Sequence, residues 1–239
     1  LLMKINFTLH QSLYFALGIV IMKSVSLFML PVVTHYLAPA QFGELEFLVS
    51  ISDFATILVG FALVEALYRF AGSSKDPKDE KHIGATIFSL SLITTAASLI
   101  LGLLVAPVIH PMFGNGISLL DVQLTVLLFS IDACLVVPLG WLKLKENAFT
   151  FFVLTTSKGV SQAFISWQLL KADYGITSIL LAGATTSVVL VAVLAKLQIS
   201  QTGLRLDTKR LPQLLSYCAP LVISAIAAFA LLSVDRWVI

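Results

Sequence analysis

Charge is scarce in this chain. Lys, Arg, Asp and Glu make up 12% of its 239 residues, about half the share of an ordinary soluble domain, while hydrophobic residues make up 58%. A soluble fold of this size needs far more polar surface, so a bilayer is the expected solvent. Cysteine is scarcer still. Cys134 and Cys218 lie far apart in apolar stretches, with no CxxC or Cys/His spacing. That argues against a disulfide framework or a metal site and leaves both as small buried hydrophobes. The histidines, His10, His35, His82 and His110, fall at the ends of apolar runs or between them. There is no Gly-rich phosphate loop, no paired histidines and no nucleophile with a base at a useful spacing. No enzyme, no cofactor, no metal and no nucleic-acid partner is expected.

What the chain does have is long apolar runs, at 13–36, 46–70, 83–107, 119–142, 149–170, 176–197 and 217–239. About 20 helical residues cross a hydrocarbon core of ~30 Å. The runs are continuous rather than alternating, which selects helices over barrel strands. The predicted fold is an all-α polytopic transmembrane bundle. Residues 1–197 form a six-helix lobe, 198–216 a cytoplasmic amphipathic connector, and 217–239 a seventh helix that opens a second lobe. With Asp235-Arg236-Trp237-Val238 immediately before Ile239 and no polar flank, the chain reads as the N-terminal part of a longer protein. Parallel repeats of this kind are a known transporter plan. Lys4, an apolar run and Ala38-Pro39-Ala40 imitate a signal peptide. However, Leu13 to Tyr36 is too long for an h-region and Lys23 interrupts it, so a retained span is predicted.

The loops carry turn chemistry, in Ala38-Pro39-Ala40-Gln41-Phe42-Gly43, His110-Pro111-Met112-Phe113-Gly114-Asn115-Gly116 and Asp173-Tyr174-Gly175. One side of the bundle collects Lys4, Arg69, Lys75, Lys78, Lys81, Lys143, Lys145, Lys196, Arg205, Lys209 and Arg210, and the other holds Lys171. The positive-inside rule then puts the N-terminus and the even-numbered loops in the cytoplasm. In the connector, Leu204, Leu206, Leu211, Leu214 and Leu215 mix with Arg205, Lys209 and Arg210. It reads as an interfacial helix resting on anionic membrane lipids or as a plain linker.

Six charges fall inside the runs: Lys23, Asp53, Asp132, Lys158, Asp235 and Arg236. Each central charge costs ~2.5–3.5 kcal/mol on insertion scales, so such residues face a cavity or a partner. At 1.5 Å per residue, Lys23, Asp132 and Lys158 sit about 13–15 Å from their entry points, near the midplane. Asp132 and Lys158 flank the loop at Lys145 symmetrically, which makes them level in a hairpin. Two readings stand: an ion pair fixing helix register, or a pair tuning the field of a polar cavity. Lys23 has no carboxylate level with it in its own hairpin, where Gly60 is opposite and Asp53 is ~9 Å away along the helix. It is expected to point into water or at an anionic ligand, or else to pair with a carboxylate on a non-adjacent helix. Glu65 and Arg69, spaced i,i+4, predict an interfacial salt bridge. Pro31, Pro138 and Pro220 are expected to break or bend their spans. Ser24, Ser26, Ser50, Ser52, Thr155, Thr156 and Ser157 supply small polar positions for packing or cavity lining.

Three stretches together resemble a known family. Leu30-Pro31-Val32-Val33-Thr34-His35-Tyr36-Leu37 with Phe42-Gly43 is similar to the first-helix signature of Wzx-type polysaccharide flippases. These belong to the multidrug/oligosaccharidyl-lipid/polysaccharide exporter superfamily. Lys171-Ala172-Asp173-Tyr174-Gly175-Ile176 resembles the family's turn before the sixth helix. Tyr217-Cys218-Ala219-Pro220-Leu221 with Ser233-Val234-Asp235-Arg236 resembles its seventh-helix opening. The resemblance implies two six-helix lobes alternating around a central cavity in a bacterial inner membrane. The implied substrate is an oligosaccharide on undecaprenyl pyrophosphate, moved from the cytoplasmic to the periplasmic leaflet, as in O-antigen and lipopolysaccharide synthesis. Lys23, Lys158 and Arg236 would then contact the anionic part. Asp53, Asp132 and Asp235 would position those cations or bind a coupling proton, sodium being the other candidate ion. The midplane charges of Lys23, Asp132 and Lys158 sum to +1, which suits such a cavity. A cation-coupled drug antiporter of the same superfamily would favour an acidic cavity. A membrane polysaccharide polymerase or ligase would need larger outward loops, and a scaffold subunit would not need midplane charges.

Overall fold

A computed structural model describes residues 2–114 and 116–238, with the side chains of 2–12, Phe15 and 232–238 outside the description. The chain is helical almost throughout, and the elements are α1 (Leu2–Tyr36), α2 (Pro39–Gly60), α3 (Leu63–Ala66), α4 (Pro77–Ile109), α5 (Leu119–Leu144), α6 (Ala148–Lys171), α7 (Thr177–Thr202) and α8 (Leu211–Val238). A π turn, Leu67–Ala71, extends α3, and a 3-10 turn, His110–Phe113, follows α4. No strand occurs among the described residues. This is the all-α bundle expected from the apolar runs.

Local sequence sets the boundaries. Pro39 occupies the first turn of α2, and the Gln41 side-chain oxygen accepts the Ala38 N–H at 3.1 Å. Asp76 caps α4 by accepting the Lys78 N–H at 3.0 Å, with Pro77, Asp79 and Glu80 following in the first turn. Ser118 and Asp121 form a reciprocal capping box at the start of α5. Asn147 caps α6 through the Thr150 N–H. Gly203, with φ +74°, closes α7.

Six of these stretches are long and apolar enough to cross a membrane: α1, α2 with α3, α4, α5, α7 and α8. The predicted fifth span, α6, is long enough at 24 residues but too polar to meet that measure. Contacts between loops confirm that successive helices run antiparallel. At one end, Lys145 pairs with Glu80 at 2.7 Å, and Arg210 pairs with Asp79 at 2.6 Å and with Asp207. Asp79 holds the Arg210 guanidinium above its ordinary pKa through that hydrogen bond. At the other end, Thr177 donates to Asp121, and the ring of His110 meets the Ile117 carbonyl at 3.0 Å. The first is termed the basic end here, after the cations gathered there.

At the centre stands α5, packed against α2, α4 and α7. It runs parallel to α7, joined to it at three depths by Asp121–Thr177, Asp132–Ser187 and Trp141–Gln201. Ser98 donates to Ser130 at 2.9 Å, tying α4 to the same helix. Cys134 and Cys218 are free thiols buried in the core, as their apolar settings predicted.

Four expectations need correction. The span predicted as one helix over 46–70 is interrupted at Phe61 and Ala62, both left-handed (φ 45° and 52°). Such a conformation costs a non-glycine residue roughly 1–2 kcal/mol. Of the break or bend expected at Pro31, Pro138 and Pro220, no break occurs: the helices continue through all three. Glu65 and Arg69 are not within ion-pair distance, because the π turn beginning at Leu67 winds more slowly than an α-helix and turns Arg69 off the expected face. The connector is not an amphipathic helix. Residues 198–202 complete α7, 203–210 are non-helical, and 211–216 begin α8. Gly203 and the Asp207 side chain, which accepts the Lys209 N–H, hold it in that form.

The α4–α5 contact depends on Gly84, where an added Cβ would meet the buried Trp141 ring at 2.7 Å. The indole is itself held by Gln201 at 2.8 Å, so it has little freedom to retreat. Gly84→Val is expected to destabilise the bundle by about 1–3 kcal/mol. Denaturant unfolding in detergent, compared with the wild-type chain, measures it.

Candidate functional site

A cavity of 490 Å³ lies between α1, α2 and α6. It exists because α1 packs on α6 and hardly touches α2, so the first hairpin is splayed. Each helix presents a stripe at helical spacing: Met22, Lys23, Ser26 and Met29 on α1; Phe42, Leu45, Glu46 and Val49 on α2; Gly159, Gln162, Ala163 and Ser166 on α6. Gly159 lets α1 approach, since a Cβ there would collide with the Met22 thioether.

Lys23 is the deep cation of this cavity. It lies thirteen residues before Tyr36, ~20 Å from the end of α1. Glu46 lies seven residues after Pro39, ~10 Å into α2. The cavity therefore carries its positive charge near mid-depth and its carboxylate nearer the end opposite the basic one. Lys23 makes no ion pair among the described residues. The polar lining is completed by Ser26, Gln162 and Ser166.

The other predicted site residues are placed elsewhere. Lys158 Nζ donates to Asp132 Oδ1 at 3.0 Å, and the Ser187 hydroxyl donates to the same oxygen at 2.8 Å. Level helices thus produce the pair that symmetry about Lys145 predicted. Ser187 makes it a three-helix node, which sequence spacing could not reveal. Lys158 also lines a second cavity, of 340 Å³, with Ser157, Ser161, Thr185 and Thr186 between α6 and α7. Asp132 and Lys158 are absent from the first cavity, so in place of the expected +1 its charged lining is Lys23 and, nearer the other end, Glu46. Asp53 is exposed on α2 and does not line it either. Asp235 and Arg236 lie in α8 with side chains outside the described residues.

Sequence reasoning missed Glu46, Gln162 and Ser166. Glu46 sits at the start of a predicted span and reads as a flank. The signal for the other two was present as the small-polar stripe of α6 at i, i+3, i+4 and i+7.

The node gives a test of register against function. Asp132→Leu leaves the Lys158 ammonium and the Ser187 hydroxyl without their shared acceptor, at an expected cost of about 2–3 kcal/mol. Replacing both charges, as Asp132→Leu with Lys158→Met, is expected to recover most of that loss. Thermal unfolding of the two variants side by side checks the order.

No curated protein and no solved structure matches the chain. A family profile does, over residues 32–239, from the last turns of α1 through α8. This match covers most of the chain, including α2, α6 and nearly all the charges within the spans. With its bundle of apolar helices, the chain is a multi-pass membrane protein and belongs to the polysaccharide biosynthesis protein family.

Proposed function

We propose that the chain forms the first lobe of a transporter that flips a lipid-linked oligosaccharide across the bacterial inner membrane by alternating access. The observation that carries this reading is Lys23, a mid-depth cation on the wall of a 490 Å³ cavity without a protein ion-pair partner among the described residues. A charge at that depth costs ~2.5–3.5 kcal/mol unless water or a counter-charge meets it. An anionic pyrophosphate supplies that counter-charge. Gln162, Ser166 and Glu46, higher in the same cavity, offer the amide, hydroxyl and carboxylate groups that hydrogen-bond sugar hydroxyls. Membership of a polysaccharide biosynthesis family supports a saccharide as the cargo.

In this reading the basic end faces the cytoplasm, by the positive-inside rule. The cavity lining then runs from Lys23 towards the periplasmic ends of α1 and α2, and the pyrophosphate binds at the Lys23 end. Lys158 acts through helix register, while Lys23 is the cation that contacts cargo.

Lys23→Gln in the full-length protein is expected to slow translocation of a fluorescent lipid-linked oligosaccharide in liposomes by about tenfold or more. That corresponds to losing one charge-assisted hydrogen bond of ~1.5–3 kcal/mol. Lys23→Arg is expected to keep most of the rate. Wild-type translocation by the glutamine variant would remove the anion-binding role and this reading with it.

A further inference from the structure

The membrane-spanning stretch Pro39–Ala71 divides at Phe61 and Ala62 into two parts that are held differently. Beyond the break, Leu63, Ala66, Leu67 and Ala71 are at most 1% exposed, in one core cluster with residues of α4, α5 and α8. Before it, no residue from 51 to 62 is buried. The next anchors of α2 are Leu45, Leu48 and Ser50, towards its far end. A fixed foot thus carries a lightly held arm.

The break is strained, and nothing in its sequence demands it. Phe61 (φ 45°, ψ 35°) and Ala62 (φ 52°, ψ 29°) are both left-handed, which a Cβ opposes and glycine accepts. Alanine is the best helix former, and no proline stands between Pro39 and Pro77. With both residues right-handed, α2 and α3 become one helix. The π turn at Leu67–Ala71 follows at once, a second departure from regular winding of the kind found at functional sites. Strained backbone of this sort collects at switch regions.

There is also room for a change. A cavity of 330 Å³ adjoins the break between α2, α3 and α8, walled mainly by apolar groups such as Ile57, Val136, Leu221 and Val222. A Cβ on Gly60 would meet nothing within 4 Å. On its other side, α2 barely touches α1.

We infer that Phe61–Ala62 is a hinge, on which α2 bends against the fixed α3 between the broken form and a continuous helix. The bend carries Phe42, Glu46 and Val49, part of the α2 wall of the Lys23 cavity. Glu46 lies fifteen residues before Phe61, ~22 Å along the helix, so each ~10° of bend moves it by ~4 Å. The hinge widens or narrows that cavity from within one lobe. Its use as a gate rests on Lys23 binding the cargo; the hinge itself does not.

Distances between paired spin labels in the full-length protein test it, with Gly43→Cys labelled on α2 and Phe164→Cys on the exposed side of α6. Cys134→Ala and Cys218→Ser remove the two native thiols, and the serine keeps a donor for the Ala62 carbonyl that Cys218 meets. Ala62→Gly favours the left-handed form over the helix, whereas Ala62→Val makes the left-handed form costlier. Two α2–α6 distances are expected, with a ratio that differs at least about tenfold between these variants. If Ala62→Val does not fold, Phe61→Gly is compared with the wild-type chain and should move the ratio as Ala62→Gly does. One distance common to all these proteins, whatever their Tm, would overturn the hinge and leave a static break. Lys23→Gln is expected to leave the distances unchanged, so loss of the hinge and loss of the cargo site are told apart.

Discussion

Hydrocarbon offers the backbone no hydrogen-bond partner, and the architecture follows from that constraint. Helices satisfy it within themselves, so the chain is helical wherever it crosses and irregular where water or side chains take over. Caps mark the transitions: Asp76, Ser118 and Asn147 each accept a backbone N–H at the start of a helix. The Phe61–Ala62 break is the departure, with two left-handed residues inside a spanning stretch. It is tolerated because α8 covers it, Cys218 meets the Ala62 carbonyl, and a cavity adjoins it.

Apolar surface alone cannot hold such helices in register, because lipid tails are as apolar as leucine. Side-chain hydrogen bonds do much of that work around α5. Asp121, Asp132 and Trp141 bond to α7 near its start, middle and end, and Ser130 bonds to α4. The outcome is a stapled α4–α5–α7 centre. The first hairpin is more open: α1 barely touches α2, and the space left between them is the Lys23 cavity.

Much of this was legible in the sequence. Length and continuity of the apolar runs located the helices, and the level placement of Asp132 and Lys158 about Lys145 located an ion pair. Both inferences use distances along the chain, which helix geometry converts directly into depth. Inferences about neighbours fared worse where they assumed that sequential helices pack. Lys23 was measured against Gly60 and Asp53 across its own hairpin, yet its cavity is shared with α6 and with Glu46. The break at Phe61 was illegible for a related reason. Neither phenylalanine nor alanine favours a left-handed backbone, and prolines at 31, 138 and 220 were the more conspicuous candidates. Contacts with α8, over 150 residues further on, accompany that conformation.

The polarity of α6 ties these observations together. At 100° per residue, Ser157, Ser161, Ile165 and Lys158 span one arc of about 100°, the wall of the α6–α7 cavity. Gln162, Ser166, Gly159 and Ala163 fill the next arc of about 100°, facing α1 and α2. The remaining arc carries Phe149, Val153, Val160, Phe164 and Trp167, all exposed and apolar, as a lipid-facing stripe must be. A helix with two cavity walls and one lipid face cannot reach the apolarity of a span surrounded by lipid and protein. Its low hydropathy therefore reports its position between two chambers. That position makes α6 the partition between the Lys23 cavity and the α6–α7 cavity, with the Lys158–Asp132 pair fixing its height against α5. Any rearrangement that reshapes one chamber must move a wall of the other.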